Sequence, residues 1–133
     1  LFLPPIFDGP TTRGLYDERT GALWAVDAFA ALTTGAVHAV EELPKDLFDE
    51  SFVMLNSLVS PWHQWLDPVP YNRHVDTVEA LNPSVVASAH GPVLRGLAIH
   101  DAFDRVRAMA AQPRVAPPGQ PVLDELLAAV SAG

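Results

Sequence analysis

The stretch Leu23-Trp24-Ala25-Val26-Asp27-Ala28-Phe29-Ala30 decides the fold of this chain. Its first four residues are apolar and rich in strand-forming side chains, which predicts a short buried β-strand. Asp27 follows directly and has no charged neighbour in the sequence. Because an uncompensated buried charge is very costly, this carboxylate needs hydrogen bonds, a basic partner or a metal ion.

A second stretch of the same kind is Ser84-Val85-Val86-Ala87-Ser88-Ala89-His90-Gly91-Pro92. A short apolar strand again ends close to one ionisable residue, His90, and the Gly-Pro pair after it predicts a turn. We expect both strands to end at the same edge of one sheet. The aspartate and the histidine should then lie close together there.

Composition limits the classes of function. The chain has 133 residues, of which 49% are hydrophobic, so a single domain with a real core is expected. A net charge of −8 with only eight basic residues argues against nucleic-acid binding. Cysteine is absent, and no apolar run approaches the ~20 residues of a membrane span, so we expect a cytoplasmic protein without membrane contact. The chain begins at Leu1 in strand-like sequence, and we therefore expect a piece of a longer protein.

The remaining pattern predicts an α/β arrangement with helices on one face of a sheet of three or four strands. A proline-rich stretch after residue 111 separates a domain over 1–111 from a tail over 112–133 that carries a possible short helix. The predicted elements are an edge strand over 1–7, a β-hairpin over 11–27, a helical region over 41–66 broken near Pro61, helices over 71–81 and 97–111, a strand over 84–89 and a last helix over 122–130.

Two segments carry a family resemblance. "LYDERTGALWAVDAFA" (15–30) resembles the hairpin that leads to the metal-bridging aspartate in metallo-β-lactamase-fold hydrolases. "YNRHVDTVEALNPSVVASAHGPVLRG" (71–96) resembles the helix and strand that lead to their last metal-ligand histidine, which is followed by Gly-Pro. The chain is most similar to the flavodiiron, or oxygen-binding di-iron, branch, and the resemblance covers residues 1–109.

The resemblance implies a fold and a set of ligands. The family has a four-layer αβ/βα sandwich built from two halves, and this chain corresponds to the C-terminal half, a mixed sheet with helices packed on one face. Asp27 is then the bridging carboxylate, and His90 is a terminal ligand of the second metal. Carboxylate and imidazole suit a dinuclear iron or zinc centre.

The sequence also departs from the family pattern. No His-x-His-x-Asp-His cluster is present, and the family's third histidine falls at Asp8, nineteen residues before Asp27. Either Asp8 replaces that histidine as an oxygen ligand, or the site is degenerate. The candidate metal ligands are therefore Asp27, His90 and Asp8, too few for a complete dinuclear site.

Each candidate has an ordinary structural alternative. Asp27 can be a buried acid bonded to backbone amides, His90 can cap a strand, and Asp8 precedes a glycine as turn residues often do. Among the other candidates, we expect His74 and His100 to be solvated and His63 to be partly buried. Trp62 and Trp65 should lie in the core or in a dimer contact, and Tyr71 in the core or at a helix cap. His38 is the one most able to reach the site.

We therefore expect part of a metal-dependent hydrolase or a di-iron oxygen-binding protein, or else a non-catalytic homologue or binding module with a degenerate metal site. The isolated chain should be inactive. Expected partners are a missing N-terminal half or second subunit, a small-molecule substrate and further copies in a homo-oligomer. We expect the missing half to cover the strands that contain Leu1, Leu3, Leu15, Leu23 and Val85.

Overall fold

The computed structural model describes residues 1–6, 8–9, 11–33, 35–113, 115–117 and 119–131. Within these ranges a five-stranded sheet is covered by helices on one face. The strands are β1 (Phe2–Leu3), β2 (Gly14–Asp17), β3 (Ala22–Trp24), β4 (Val85–Ala87) and β5 (Leu94–Arg95). The α-helices are α1 (Lys45–Val59), α2 (Pro68–Glu79), α3 (Leu97–Ala108) and α4 (Gln120–Ser131), and 3-10 turns cover Val40–Glu42, Pro61–Trp65 and Met109–Ala111.

The strand order is β1-β2-β3-β4-β5, so the sheet follows the order of the chain. All neighbouring pairs are antiparallel except β3 and β4, which are parallel, with Leu23 opposite Val86. The connection between these two strands carries α1 and α2. Because parallel strands run in the same direction, the carboxyl ends of β3 and β4 lie at the same edge of the sheet.

The buried face of the sheet packs on the helices. Tyr16, Leu23, Val86 and Leu94 stand opposite one another across four strands and are all buried. The helices meet this row with apolar faces at helical spacing. Their fully buried contributions include Phe52 of α1, Val75 and Val78 of α2, and Ala102, Phe103 and Val106 of α3.

One side chain ties the second and third helices together. The hydroxyl of Tyr71 donates a hydrogen bond of 2.7 Å to the carbonyl of Val106. Burial raises the pKa of the Tyr71 phenol well above its usual range. This tyrosine therefore has the structural role expected from the sequence.

The opposite face of the sheet is apolar and exposed. Phe2, Leu15, Trp24 and Ala87 form the next row in register, and the first three are 77%, 42% and 43% exposed. Leu3 and Leu23, on the same strands, lie on the other face and are buried in the core. Side chains alternate between the two faces of a strand, so only every second residue can lie on the outer face.

Several element bounds differ from those predicted. The first helix ends at Val59, before Pro61, and the second begins at Pro68 rather than at residue 71. Asp67 caps the second helix by accepting a bond of 3.0 Å from the Val69 amide, and proline is well tolerated in a first helical turn. The strand expected over 1–7 is confined to Phe2–Leu3; Phe7 lies outside the described residues.

β5 was not predicted, because two residues are too few to show a periodic pattern. The helix predicted over 122–130 is present as α4, whose apolar side chains Val122, Leu123 and Leu127 are exposed. Among the described helices, none combines the length and the apolar character that crossing a membrane requires.

Candidate metal site

Asp27 and His90 meet at the edge of the sheet where β3 and β4 end. The Oδ1 atom of Asp27 lies 3.4 Å from Nε2 of His90. The side chain of Asp27 is 24% exposed and that of His90 63% exposed, so the pair lies at the surface end of a buried strand pair. The predicted proximity is therefore present in the structure, and its cause is the parallel pairing of the two strands.

Three hydrogen bonds continue the pairing beyond the strand ends. The amide of Ala25 donates to the carbonyl of Ala87 at 2.9 Å. The carbonyl of Val26 then accepts two bonds, from the amide of Ala89 at 2.6 Å and from the hydroxyl of Ser88 at 2.8 Å. The peptide that precedes Asp27 is thus bonded to the two residues that precede His90.

The backbone around Asp27 is strained. Val26 has φ of 55° and Phe29 has φ of 67°, the left-handed region that L-residues other than glycine seldom adopt. For a β-branched residue such as valine this conformation is particularly unfavourable. Strain of this kind persists only where the surroundings enforce it, and it is concentrated at functional sites.

The loop after Asp27 also touches the turn after His90. The amide of Ala31 donates to the carbonyl of His90 at 3.2 Å. Gly91 has φ of 118°, and a Cβ atom there would lie 2.9 Å from the nitrogen and 3.0 Å from the oxygen of Ala31. This close approach requires glycine. From α1, the side-chain amide of Asn56 donates to the carbonyl of Ala30 at 3.0 Å and fixes the loop against the helix layer.

Asp8 lies beside Asp27, but its carboxylate is bonded to backbone amides. One oxygen accepts from the amide of Gly9 at 2.5 Å, and the other lies 3.4 Å from the amide of Asp27. Asp8 therefore fixes its own turn and also contacts the candidate site. Its role as a metal ligand stays a prediction, as do those of Asp27 and His90.

The spacing of Asp27 and His90 is compatible with a shared metal ion. Two ligands held about 2.0–2.1 Å from one tetrahedral ion are separated by roughly 3.3–3.5 Å. The 3.4 Å between Oδ1 and Nε2 matches that separation and is long for a strong hydrogen bond. Across the described residues, no cluster of three or more His, Cys, Asp or Glu side chains is suited to hold a metal ion. The arrangement thus offers two neighbouring ligands and needs others.

Two other histidines have structural surroundings. His63 is fully buried, and its Nδ1 lies 3.0 Å from the carbonyl of Met109, so it joins the 3-10 turn Pro61–Trp65 to the 3-10 turn Met109–Ala111. His100 is exposed and its Nδ1 lies 3.0 Å from a carboxylate oxygen of Glu79. That hydrogen bond raises the pKa of His100.

The other candidates also differ in their surroundings. His38 is exposed, and its amide lies 3.4 Å from a carboxylate oxygen of Glu42. His74 is half-buried, with Nε2 out of contact with solvent, so the expectation that it is solvated is wrong. Trp62 and Trp65 are 39% and 79% exposed, which excludes a core role for both.

Sequence reasoning missed Ser88. Its hydroxyl holds the carbonyl of Val26, but in the sequence it is only a small polar residue at the end of an apolar strand. The available signal was its position: a serine two residues before a candidate ligand can bond a neighbouring strand end.

Comparison with solved structures identifies the fold. Rubredoxin oxygen:oxidoreductase from Desulfovibrio gigas matches with a TM-score of 0.67 and 14% identity, over 83% of this chain and 27% of the other. The fold is that of part of a flavodiiron protein. The flavodiiron protein from Giardia intestinalis gives a TM-score of 0.64 and 17% identity over 82% of this chain and 26% of its own.

A third solved structure extends the comparison. The chemotaxis sensor ODP, solved as a peroxy di-iron species, gives a TM-score of 0.58 and 20% identity over 92% of this chain and 47% of its own. This chain therefore spans between about a quarter and a half of the length of these three structures. No protein-family model matches the sequence, and no curated protein does. The predicted flavodiiron-type metallo-β-lactamase fold is confirmed.

Proposed function

We propose that this chain supplies Asp27 and His90 as ligands of a dinuclear iron centre whose other ligands come from outside the chain. The observation that carries the proposal is the 3.4 Å separation of Asp27 Oδ1 and His90 Nε2 at the common end of two parallel strands. A strained and heavily bonded backbone supports both residues. Such a support is costly to build, and a ligand site is a good reason for it.

The chemistry of the pair suits this role. Asp27 has two carboxylate oxygens, of which one faces His90, so the same side chain is able to bridge two metal ions. His90 is largely exposed, which leaves its ring accessible to ligands contributed from another segment. Bound metal would act as a Lewis acid and as the site of dioxygen binding. We prefer iron to zinc and dioxygen to a hydrolysable substrate because two of the similar structures are named as di-iron or flavodiiron proteins.

The outer face of the sheet supports completion by a further segment or subunit. Phe2, Leu15 and Trp24 form an exposed apolar row in register across three strands. Apolar patches of this kind mark surfaces that pack against another protein element. Because this row includes Trp24, the last residue of β3, an occupant of that face would lie close to the strand end that leads to Asp27. The 133-residue chain alone should be inactive.

Metal content of the longest natural form of the protein tests the proposal. We expect close to two equivalents of iron by elemental analysis, and a loss of at least half of the metal in Asp27→Ala and in His90→Ala. His100→Ala is the matched control, because His100 is also an exposed histidine beside a carboxylate but lies on α3. Unchanged iron in both Asp27→Ala and His90→Ala would overturn the assignment.

A non-catalytic homologue is the second candidate. It is favoured by Asp8, whose carboxylate is occupied by the amide of Gly9, and by the lack of a three-ligand cluster in the described ranges. This alternative predicts that the longest form holds no iron or zinc and that Asp8→Ala changes nothing in metal content. Two equivalents of metal in that form would exclude it.

A further inference from the structure

Two serines flank β4, and each donates its hydroxyl to a backbone carbonyl near an end of β3. Ser84 donates to the carbonyl of Thr20 at 2.9 Å, at the beginning of the strand pair. Ser88 donates to the carbonyl of Val26 at 2.8 Å, at its end. The two bonds have the same chemistry and nearly the same length. Only the second lies beside Asp27 and His90.

The bond from Ser88 acts on a strained peptide. Val26 holds φ of 55°, a left-handed conformation that is unfavourable for an L-residue and most of all for a β-branched one. Its carbonyl is held by the Ser88 hydroxyl and the Ala89 amide together. Without the hydroxyl, one bond would remain to oppose the return of Val26 to an extended conformation. Such a return would redirect Asp27, the next residue.

We propose that Ser88 is a positioning residue: its hydroxyl holds Val26 in the left-handed conformation and thereby keeps Asp27 Oδ1 opposite His90 Nε2 at the spacing of two metal ligands. This inference rests on the proposed function, since it assigns Ser88 a role toward the same pair. The described contact of the Ser88 hydroxyl is with the carbonyl of Val26, not with the side chain of Asp27 or His90. It acts through the backbone of Val26.

The test compares three variants of the 133-residue chain: Ser88→Ala, Ser88→Thr and Ser84→Ala. Each is titrated with Co²⁺ while NMR follows the ring signals of His90, which report binding even when it is weak. We expect the dissociation constant for Co²⁺ to rise about tenfold in Ser88→Ala, in keeping with the loss of groups that orient metal ligands. Ser88→Thr keeps the hydroxyl and should restore wild-type binding. Ser84→Ala should stay within about twofold, although it loses an equivalent hydrogen bond.

The outcomes separate this inference from the proposed function. If Ser88→Ala binds Co²⁺ as tightly as wild type, or if Ser84→Ala weakens binding equally, Ser88 has no positioning role. If the wild-type chain shows no Co²⁺ shift at His90, the proposed function is unaffected, because it takes its other ligands from outside the chain; a crystal structure of Ser88→Ala then decides the inference. An unchanged separation of Asp27 and His90 in that crystal would overturn it; a separation widened by an ångström or more would support it.

Discussion

Each end of the β3–β4 pair has a residue with positive φ and a serine hydroxyl bonded to a backbone carbonyl, but only one end places the positive φ on a residue with a side chain. At the beginning of the pair the positive φ belongs to Gly21, at 70°, which carries no Cβ and bears little cost. At the end of the pair a positive φ belongs to Val26, for which it is costly. A glycine at that position would have been the simpler solution for stability alone.

The difference indicates that the end of the pair at Asp27, unlike its beginning, is not optimised for stability alone. The beginning of the pair closes a hairpin: the Asp17 carboxylate accepts bonds from the hydroxyl of Thr20 at 2.6 Å and the amide of Arg19 at 3.1 Å, and these bonds lower the pKa of Asp17. These hydrogen bonds and Gly21 stabilise the hairpin locally. At the other end the strained Val26 places Asp27 opposite His90, so the backbone there is less stable than it could be, and the benefit is the position of a side chain.

Replacement of Gly91 by alanine should give the largest effect. Its φ of 118° disfavours any side chain, and the added Cβ would approach the backbone of Ala31 to 2.9 Å. Backbone cannot rotate away as a side chain can, so we expect a loss of about 3 kcal/mol in the free energy of unfolding, measured by urea denaturation. The matched control is Gly96→Ala, where φ is 55° but no described atom lies within 4 Å of the added Cβ. It should cost about 1–2 kcal/mol, from the unfavourable backbone conformation alone. Equal losses in the two variants would show that the contact with Ala31 is not tight.

A smaller effect is expected for Gly21→Ala. The added Cβ would approach the Ser84 hydroxyl to 2.8 Å, but this is a side chain that can rotate away at the cost of its bond to Thr20. We expect a loss of about 1–2 kcal/mol, and affinity for Co²⁺ at His90 should not change. The double variant with Ser84→Ala tests the cause. If the clash matters, the double variant will lose less stability than the sum of the losses in the two single variants. A loss equal to that sum would contradict the clash.

The contrast between the two ends also explains what the sequence could predict. Asp27 and His90 were predictable because each follows a short apolar run and because parallel strands end together. The left-handed conformation of Val26 was not, since valine is a strong strand former and nothing local marks the exception. Ser88 and the contact of Gly91 with Ala31 depend on residues about 60 apart in the chain, which no local pattern reveals. Which side chains of β3 face outward was not predicted, because a three-residue strand shows too little alternation to fix its register.

The smallest effect is expected from the pair of His100 and Glu79, which lies in the helix layer and not at an end of β3 or β4. The hydrogen bond to Glu79 raises the pKa of His100. Burial opposes the ionised form of Glu79, but the hydrogen bonds from Arg107 and His100 outweigh it and lower the pKa of that carboxyl. A raised histidine pKa stabilises the fold fully below the unfolded value of 6.5, and this contribution is lost as pH rises through the folded value.

The lowered pKa of Glu79 acts on the other side of the range. Its contribution is present above the unfolded value of 4.5 and is lost as pH falls through the folded value. The ion pair should therefore contribute most between about pH 4.5 and 6.5. In the wild type, this pair should make the free energy of unfolding decline from pH 5.5 to pH 8, and His100→Gln should remove that decline. The difference should be small because His100 is exposed, and urea denaturation at the two pH values measures it. Affinity for Co²⁺ at His90 should be unchanged. Weaker Co²⁺ binding in His100→Gln would mean that the helix layer also affects the site. The view that the site depends only on the ends of β3 and β4 would then be wrong.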